Sequence, residues 1–306
     1  MTADRGTHHY VDDPRNAGIQ IYVNGDIVAR DEARISVFDS GFILGDGVWE
    51  GLRLHNGKVA FLDQHLSRLY QGAKAIDLDI GMTPDALAAE IDKTVMANGM
   101  TSGVHIRLMV TRGLKATPYQ DPRVNIGGAT IVMIPEYKEA AERQGGVSLF
   151  TVHVRRGAPD VQDPMLNSHS KLNCITACIQ AAKAGADEAL MLDPHGFVAT
   201  CNSTHFFVVR GGEVWTSTGR YCLHGITRRN VLDLCTENGI KAFERDFSLT
   251  QVYDADEAFI TGTFAGLTPV ALIDGRTIGD GTGAGAVTSR LRALYGDLIE
   301  RECPAS

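Results

Sequence analysis

Residues able to handle a small charged molecule lie in four short stretches of this chain. His105 and Arg107 alternate within VHIRLMVTRG, so on a strand both project to one face. A second reading stays open there, in which Arg107 is a buried structural arginine paired with Glu50. Thr227, in GITRRNV, opens a helical run whose first N–H groups and positive dipole end suit an anion, and Arg68, in HLSRL, adds a positive charge. Taken singly, these two read as an ordinary cap and an exposed helix arginine. Trp49 lines a pocket or belongs to the core. Cys174 and Cys178 stand four apart, but without a nearby third and fourth ligand they read as a packed helix face rather than a metal site. His153 with Arg155 and Arg156 reads as a polar strand edge, with a pocket entrance as the alternative.

The elements that must carry these side chains are legible from periodicity and turn residues. Strand alternation at Ile21-Tyr22-Val23, a turn at Asn24-Gly25-Asp26 and renewed alternation toward Ile35-Ser36-Val37-Phe38 predict an early hairpin. A strand at Leu52-Arg53-Leu54 turns at Asn56-Gly57. Leu66, Leu69, Tyr70 and Ala73 recur at helical spacing after Asp63, and a second helix opens with Thr83 as cap and Pro84 as first residue, closing at Gly99. Strands follow at 104–110 and at 131–134, ending on Pro135. The segment 136–146, EYKEAAERQGG, changes to charge and glycine and is the expected linker. Beyond it come a strand at 147–152 and a helix from Leu172 to Ala184, stopped by Gly185. Hairpin turns follow at 193–196 and at Gly211-Gly212. Thr227 is expected to cap a helix that ends at Gly239, and Phe259-Ile260 to enter a turn spanning 261–268.

A chain of 306 residues, 44% hydrophobic, suffices for two domains of ~100–200 residues or one large one. Its net charge of −8 arises from 37 acidic and 29 basic residues that are interspersed, so no basic run follows a phosphate backbone and no nucleic-acid partner is expected. Six cysteines, at 174, 178, 201, 222, 235 and 303, form neither a dense disulfide framework nor a CxxC pair, which makes the cytoplasm the expected location. The opening residues MTADRGTHHYVDDPRNAG lack an apolar signal core, and no stretch reaches the ~20 apolar residues of a membrane span. These features point to a soluble enzyme or binding protein.

Six segments, in order, resemble the class IV (fold-type IV) pyridoxal-phosphate aminotransferases, the group of branched-chain and D-amino-acid aminotransferases and aminodeoxychorismate lyase. They are GDGVWEGLR (45–53), HLSRL (65–69), VHIRLMVTRG (104–113), AGADEALMLD (184–193), GITRRNV (225–231) and TGTFAGLTPV (261–270). The resemblance covers roughly residues 20–290, and its weight lies in the order of the set, since one short glycine-containing match is weak. It implies an α+β, two-domain fold: an N-terminal domain over 18–135, the linker 136–146, and a cofactor-binding domain over 147–300, with pyridoxal 5'-phosphate in the interdomain cleft. It also implies that Arg68, Ile226, Thr227 and Thr263 hold the cofactor phosphate, and that Trp49, His105, Arg107 and Phe264 face the substrate. The partners implied are an amino donor and a 2-oxo acid, and a homodimer.

Two departures from the family pattern lie at the chemical centre. Lys171 is the only lysine between 138 and 183, yet counting back without gaps from AGADEA the family's Schiff-base lysine falls on Asn167. If the segment is helical, 167 and 171 share a face and a lysine at 171 leans back over 167, so the catalytic lysine has migrated by one turn. A Lys171 that merely contacts the cofactor, with no Schiff-base lysine present, and a three-residue deletion that restores the alignment to Lys171 are the alternatives. The second departure is Thr200, in FVATCNSTHFFVV, where the family has a glutamate on the pyridine nitrogen; a hydroxyl can donate to a neutral nitrogen but cannot stabilise a pyridinium as a carboxylate does. Asp187 or Glu188 filling that gap from elsewhere is the alternative, and His205 stands where asparagine is common. After TRG, Leu114-Lys115-Ala116-Thr117 lacks the Arg-x-His carboxylate trap of D-amino-acid members, which disfavours D-amino acids. The activity expected is a branched-chain-like aminotransferase with an atypical centre, without a metal. The alternatives are a lyase of the aminodeoxychorismate type and a phosphate-ligand-binding homologue without catalysis.

Overall fold

A computed structural model describes residue 7 and residues 11–139 and 145–305, which divide into two compact units. The first comprises 11–139, 166–170 and 299–305. Its elements are β1 (Gln20–Val23), β2 (Asp26–Ala29), α1 (Ser40–Leu44), β3 (Gly47–His55), β4 (Lys58–Val59), α2 (Leu62–Ala75), α3 (Pro84–Ala97), β5 (Val104–Thr111) and β6 (Thr130–Tyr137). The strands form one antiparallel sheet in the order β2-β1-β6-β5-β3-β4. Alternation along β5 buries Val104, Ile106, Leu108 and Val110 and leaves His105 and Arg107 on the other face. The buried face packs on Leu66 and Leu69 of α2 and on Leu87 and Ile91 of α3, each leucine or isoleucine stabilising by roughly 1.5–3 kcal/mol.

Local signals act here as expected, with two corrections. The Thr83 side chain accepts from Ala86 N–H ahead of Pro84, capping α3. The stretch Ile35–Phe38 is not a strand: β2 runs into a 3-10 turn at Arg30–Glu32, and Ile35, Val37 and Phe38 are exposed. Strand β6 does not stop at Pro135 but continues through Glu136 and Tyr137, into the segment read as linker; 140–144 of that segment lie outside the described residues. The physical reason is parity. Ile131 N–H donates to Asn24 Oδ1 and Tyr137 N–H to Asn16 Oδ1, so odd residues point their N–H toward the β1 side, where the ladder with β1 ends at Met133. The N–H that Pro135 lacks has no ladder partner to lose.

The second unit comprises 145–165 and 171–298. Its elements are β7 (Val147–Thr151), α4 (Pro159–Gln162), α5 (Leu172–Lys183), β8 (Glu188–Leu192), β9 (Val198–Cys201), β10 (His205–Arg210), β11 (Glu213–Thr216), α6 (Ile226–Glu237), β12 (Ala242–Glu244), α7 (Leu249–Tyr253), β13 (Glu257–Gly262), β14 (Gly266–Ile273), β15 (Arg276–Thr277) and α8 (Ala286–Glu302). The sheet order is β12-β11-β10-β13-β14-β7-β8-β9, with β15 on β14. Hairpins supply the antiparallel pairs β8/β9, β10/β11 and β13/β14, and β10/β13 is antiparallel across a long connection; β7/β8 and β11/β12 are parallel with α5 and α6 crossing over between them, and β7/β14 is parallel as well. The end strand β9 returns toward the opposite edge, Val198 N–H donating to Phe247 O and Ser217 Oγ to Ala199 O. One sheet face buries Phe206, Val208, Ala258 and Ile260 against Phe247 and Val252.

Two expectations for this unit need correction, and one element was not anticipated. Helix α6 begins one residue before Thr227: Gly225 is the N-cap and Ile226 the first helical residue. The turn after β13 is only 263–265, since Gly266 already pairs with Gly262 in the β13/β14 ladder. The C-terminal helix α8, whose entry is capped by Glu257 accepting from Val287 and Thr288 N–H, carried no prior expectation.

Candidate active site

In the first unit, strand alternation sorts the expected site residues onto two faces of the sheet. Glu50 lies on the helix-covered face, where Arg68 grips it at two points, Nε to Oε1 at 2.8 Å and Nη2 to Oε2 at 2.6 Å. On the opposite face Arg107 stacks over the Trp49 ring with its guanidinium carbon 3.9 Å from the centroid. The pairing of Arg107 with Glu50 is therefore not formed; Arg68 takes that carboxylate, because Glu50 and Arg107 sit on strands in register one residue apart, Gly51 opposite Arg107. Gly51 is required on this face: a Cβ there would lie 3.0 Å from the His105 imidazole and 3.6 Å from Trp49. Trp49, His105 and Arg107 thus form one patch, and burial draws the Arg107 guanidinium below its ordinary value, partly offset by Glu136.

The segment 166–170 attaches to that patch. Trp49 N–H donates to Asn167 O, Asn167 Nδ2 donates to Trp49 O at 2.6 Å, and Trp49 Nε1 donates to Ser168 O. The chain around Ser168 consequently lies against β3, with Val48 and Ser168 bridged and His169 N–H donating to Gly47 O, and α5 starts only at Leu172. The helical face expected to join Asn167 and Lys171 does not exist, because strand pairing with β3 claims the backbone that a helix would need. Lys171 itself stands at the N-cap position of α5 and is half-buried.

The second unit gathers its expected residues at one end of its sheet. The N-cap of α6, Gly225, has no side-chain cap, so the first N–H groups of a twelve-residue helix, at Ile226 and Thr227, are not served by the chain's own cap side chain. Gly225 is held by close approach: a Cβ would fall 2.3 Å from the His205 ring, whose Nε2 lies 2.5 Å from Leu223 O. A carbonyl only accepts, so that nitrogen carries the proton. Thr263 and Phe264 form the turn between β13 and β14. Tyr295 of α8 touches both features, with its hydroxyl 3.5 Å from Thr227 Oγ1 and its ring 3.2 Å from where a Cβ on Gly266 would stand. Nearby on β13, Thr261 Oγ1 is buried and lacks a hydrogen-bond partner.

Thr200 is buried on β9, and its hydroxyl donates to Thr204 O at 2.9 Å. Of the two acids considered as replacements for the family glutamate, Asp187 accepts from Ser148 N–H and Oγ–H and so serves β7. Glu188 is fully buried and accepts through Oε1 from Ser203 N–H, Ser203 Oγ–H and Thr204 Oγ1–H. Burial pushes its carboxyl above the usual range, against those donors. Glu188 therefore supports the turn that holds Thr200 and is tied to Thr200 only through Thr204. Cys174 approaches Arg156 Nη1 at 3.2 Å, and no cluster of three metal-binding side chains occurs among the described residues. His153 lies on the strand side of α5 near Gln180. Sequence reading missed Tyr295, for which no local signal existed, and the partnership of His65 with Glu50 and Arg68. That partnership is foreshadowed only by the i, i+3 spacing in HLSRL.

Each unit carries donors of a type that suits an organic phosphate: an uncapped helix start with hydroxyls beside it in the second, and a forked arginine in the first. Comparison with known proteins agrees with that chemistry. Residues 47–273 match the family model described as amino-transferase class IV. The chain is 41% identical over 288 residues to branched-chain-amino-acid aminotransferase-like protein 2 of Arabidopsis thaliana, covering 94% of this chain but only 51% of that protein. It is 39% identical to a putative branched-chain-amino-acid aminotransferase of Methanocaldococcus jannaschii, covering 92% of this chain and 96% of that protein. Among solved structures it resembles the T.th. branched-chain amino acid aminotransferase complexed with N-(5'-phosphopyridoxyl)-L-glutamate, with a TM-score of 0.85 at 32% identity over 94% of this chain and 95% of that one.

Proposed function

Because the chain belongs to the class IV aminotransferases, we propose that it is a pyridoxal-phosphate-dependent aminotransferase exchanging an amino group between an amino acid or amine and a 2-oxo acid, of the branched-chain kind. Bound pyridoxal phosphate supplies a carbonyl carbon that accepts the amino group and a ring that withdraws electrons from it. The observation that carries the reading is the uncapped start of α6 beside the β13/β14 turn, both contacting Tyr295. Ile226 and Thr227 N–H, the Thr263 hydroxyl and Arg68 hold the phosphate. Arg107, its plane set by stacking on Trp49, and His105 bind the substrate carboxylate, and Phe264 also faces the substrate. Lys171 holds and moves the proton at its Nζ, as the amine nearest in sequence to Asn167. Thr200 offers the ring nitrogen a hydroxyl rather than a carboxylate, and its proton must turn from Thr204 O to donate there, which makes the centre atypical.

The chain acts as a homodimer in the cytoplasm. Supporting the first are Val37, Phe38, Phe42 and Leu44, exposed beside Leu114 and Ile126. The hydrogen bonds Lys115 N–H to Phe38 O and Ile126 N–H to Leu114 O make these one patch of the kind that protein interfaces cover. Supporting the second are six free cysteines, as expected of a reducing compartment.

A second reading, a phosphate-ligand-binding homologue without transamination, is favoured by one observation: Asn167, on which an ungapped count places the family's lysine, is committed to the Trp49 backbone. Borohydride reduction of the protein with pyridoxal phosphate, followed by peptide mass mapping, separates the two. A pyridoxyl group on Lys171, absent from Lys171→Ala, supports the aminotransferase. No adduct, or an adduct on another lysine, removes Lys171 from the mechanism and leaves the binding protein.

A further inference from the structure

Arg68 is held from behind. Its Nε–H and one Nη2–H enter the Glu50 carboxylate, and this two-point contact fixes the guanidinium plane as a single bond would not. The Glu50 and His65 side chains are both 0% exposed, while that of Arg68 is 15% exposed. His65 lies three residues before Arg68 on α2, on the same helix face, with Nδ1 2.7 Å from Glu50 Oε2. A carboxylate oxygen only accepts, so Nδ1 bears the proton. Burial keeps this imidazole below its ordinary value, and therefore neutral, although Glu50 opposes that effect. Burial would also raise Glu50, but Arg68 and the His65 hydrogen bond hold its carboxyl below the usual range. The trio is thus one buried anion, one neutral donor and one cation that reaches outward.

An arrangement of this kind is weak evidence of stability, since apolar residues of similar volume often do as well. Its definite consequence is directional. With the Nε/Nη2 edge turned to Glu50, the edge formed by Nη1 and the second Nη2 hydrogen faces away from it. We propose that Glu50 and His65 are positioning residues for Arg68, and that they present this outward edge to the phosphate of the cofactor. The proposal rests on the reading above that Arg68 holds that phosphate. His65 donates to Oε2, which keeps Glu50 turned toward Arg68, and a lysine at 68 could not be aimed this way because it is a point charge.

The test compares pyridoxal phosphate with pyridoxal, which lacks the phosphate, in equilibrium dialysis against the full chain. Arg68→Gln is expected to weaken pyridoxal phosphate about 10- to 100-fold and pyridoxal within about twofold. Glu50→Gln, which keeps shape and loses charge, is expected to reproduce about tenfold of that loss, and Glu50→Gln/Arg68→Gln to bind no worse than Arg68→Gln alone. His65→Asn places an amide nitrogen where Nδ1 stood and should bind as wild type, whereas His65→Leu should resemble Glu50→Gln. A merely structural role would lower the melting temperature and weaken both ligands together, leaving their ratio untouched. If Arg68→Gln shifts the ratio while Glu50→Gln and His65→Leu do not, the positioning role is wrong and the Arg68 reading survives. If Arg68→Gln leaves the ratio unchanged, both fall. Should Glu50→Gln fail to fold, the His65→Asn and His65→Leu pair decides the matter alone.

Discussion

Two buried ionisable side chains, Glu188 and His65, impose opposite pH dependences. Glu188 has a folded value above 4.5 because of burial, so its favourable contribution is complete below 4.5 and is lost as pH rises through the folded value. Glu188→Gln keeps an acceptor for Ser203 and Thr204. Against wild type it should gain relative stability by about 1.4 kcal/mol per pH unit between those two values, in urea titrations at stepped pH. Equal slopes for both proteins would mean that Glu188 is ionised in the fold. His65 has a folded value below 6.5, again because of burial. Its contribution is complete above 6.5 and is lost as pH falls through the folded value, because the unfolded chain accepts a proton that the buried ring refuses. His65→Asn should remove that acid-side loss. At position 200, Thr200→Glu places a carboxylate where a 5% exposed hydroxyl stood, costing about 1–3 kcal/mol in the absence of ligand. With ring-¹⁵N pyridoxal phosphate bound, the variant should move the nitrogen resonance from the neutral toward the protonated position. An already protonated nitrogen in wild type would show that the hydroxyl is not its partner.

Among the elements, α6 is constrained by a neighbouring strand at its start. Its start depends on Gly225, whose missing Cβ leaves room for His205 of β10. Gly225→Ala should cost about 1–3 kcal/mol through overpacking. In a double-mutant cycle, His205→Ala should recover much of that cost, because the three atoms nearest to the added Cβ all belong to the His205 ring. Additive losses in thermal melts would place the strain elsewhere. Helix α3 gives a contrasting case in which a local signal is sufficient: Thr83→Ala removes the acceptor for Ala86 N–H, and a loss of about 1 kcal/mol is expected.

For the whole chain, two separate cores, one built on β5 with α2 and α3 and one on β10 and β13, each bury their own apolar set. An apolar patch around Val37 and Phe42, at 67% and 68% exposure, lies outside both. Sedimentation equilibrium is expected to give twice the 33.0 kDa chain mass, and Val37→Asp with Phe42→Asp to shift the population toward one chain at the same concentration. A wild-type chain that sediments as a monomer at high concentration would remove the dimer from the functional reading. No helix among the described residues is long and apolar enough to cross a membrane.

Short-range physics was readable in the amino-acid order. Thr83-Pro84, Asn56-Gly57 and Gly185, with its φ of +78°, set local backbone geometry through one or two residues, and strand alternation told which of His105 and Ile106 would be buried. The order of the six segments was enough for the family. Tertiary structure alone decided which carboxylate Arg68 would take, since that depends on the β3/β5 register and on which face α2 covers. It also decided that 167–169 would bond to β3 rather than join the helix, which begins only at Leu172. Tyr295 reached the start of α6 through a chain separation of 68 residues, a contact that no spacing in the sequence encodes.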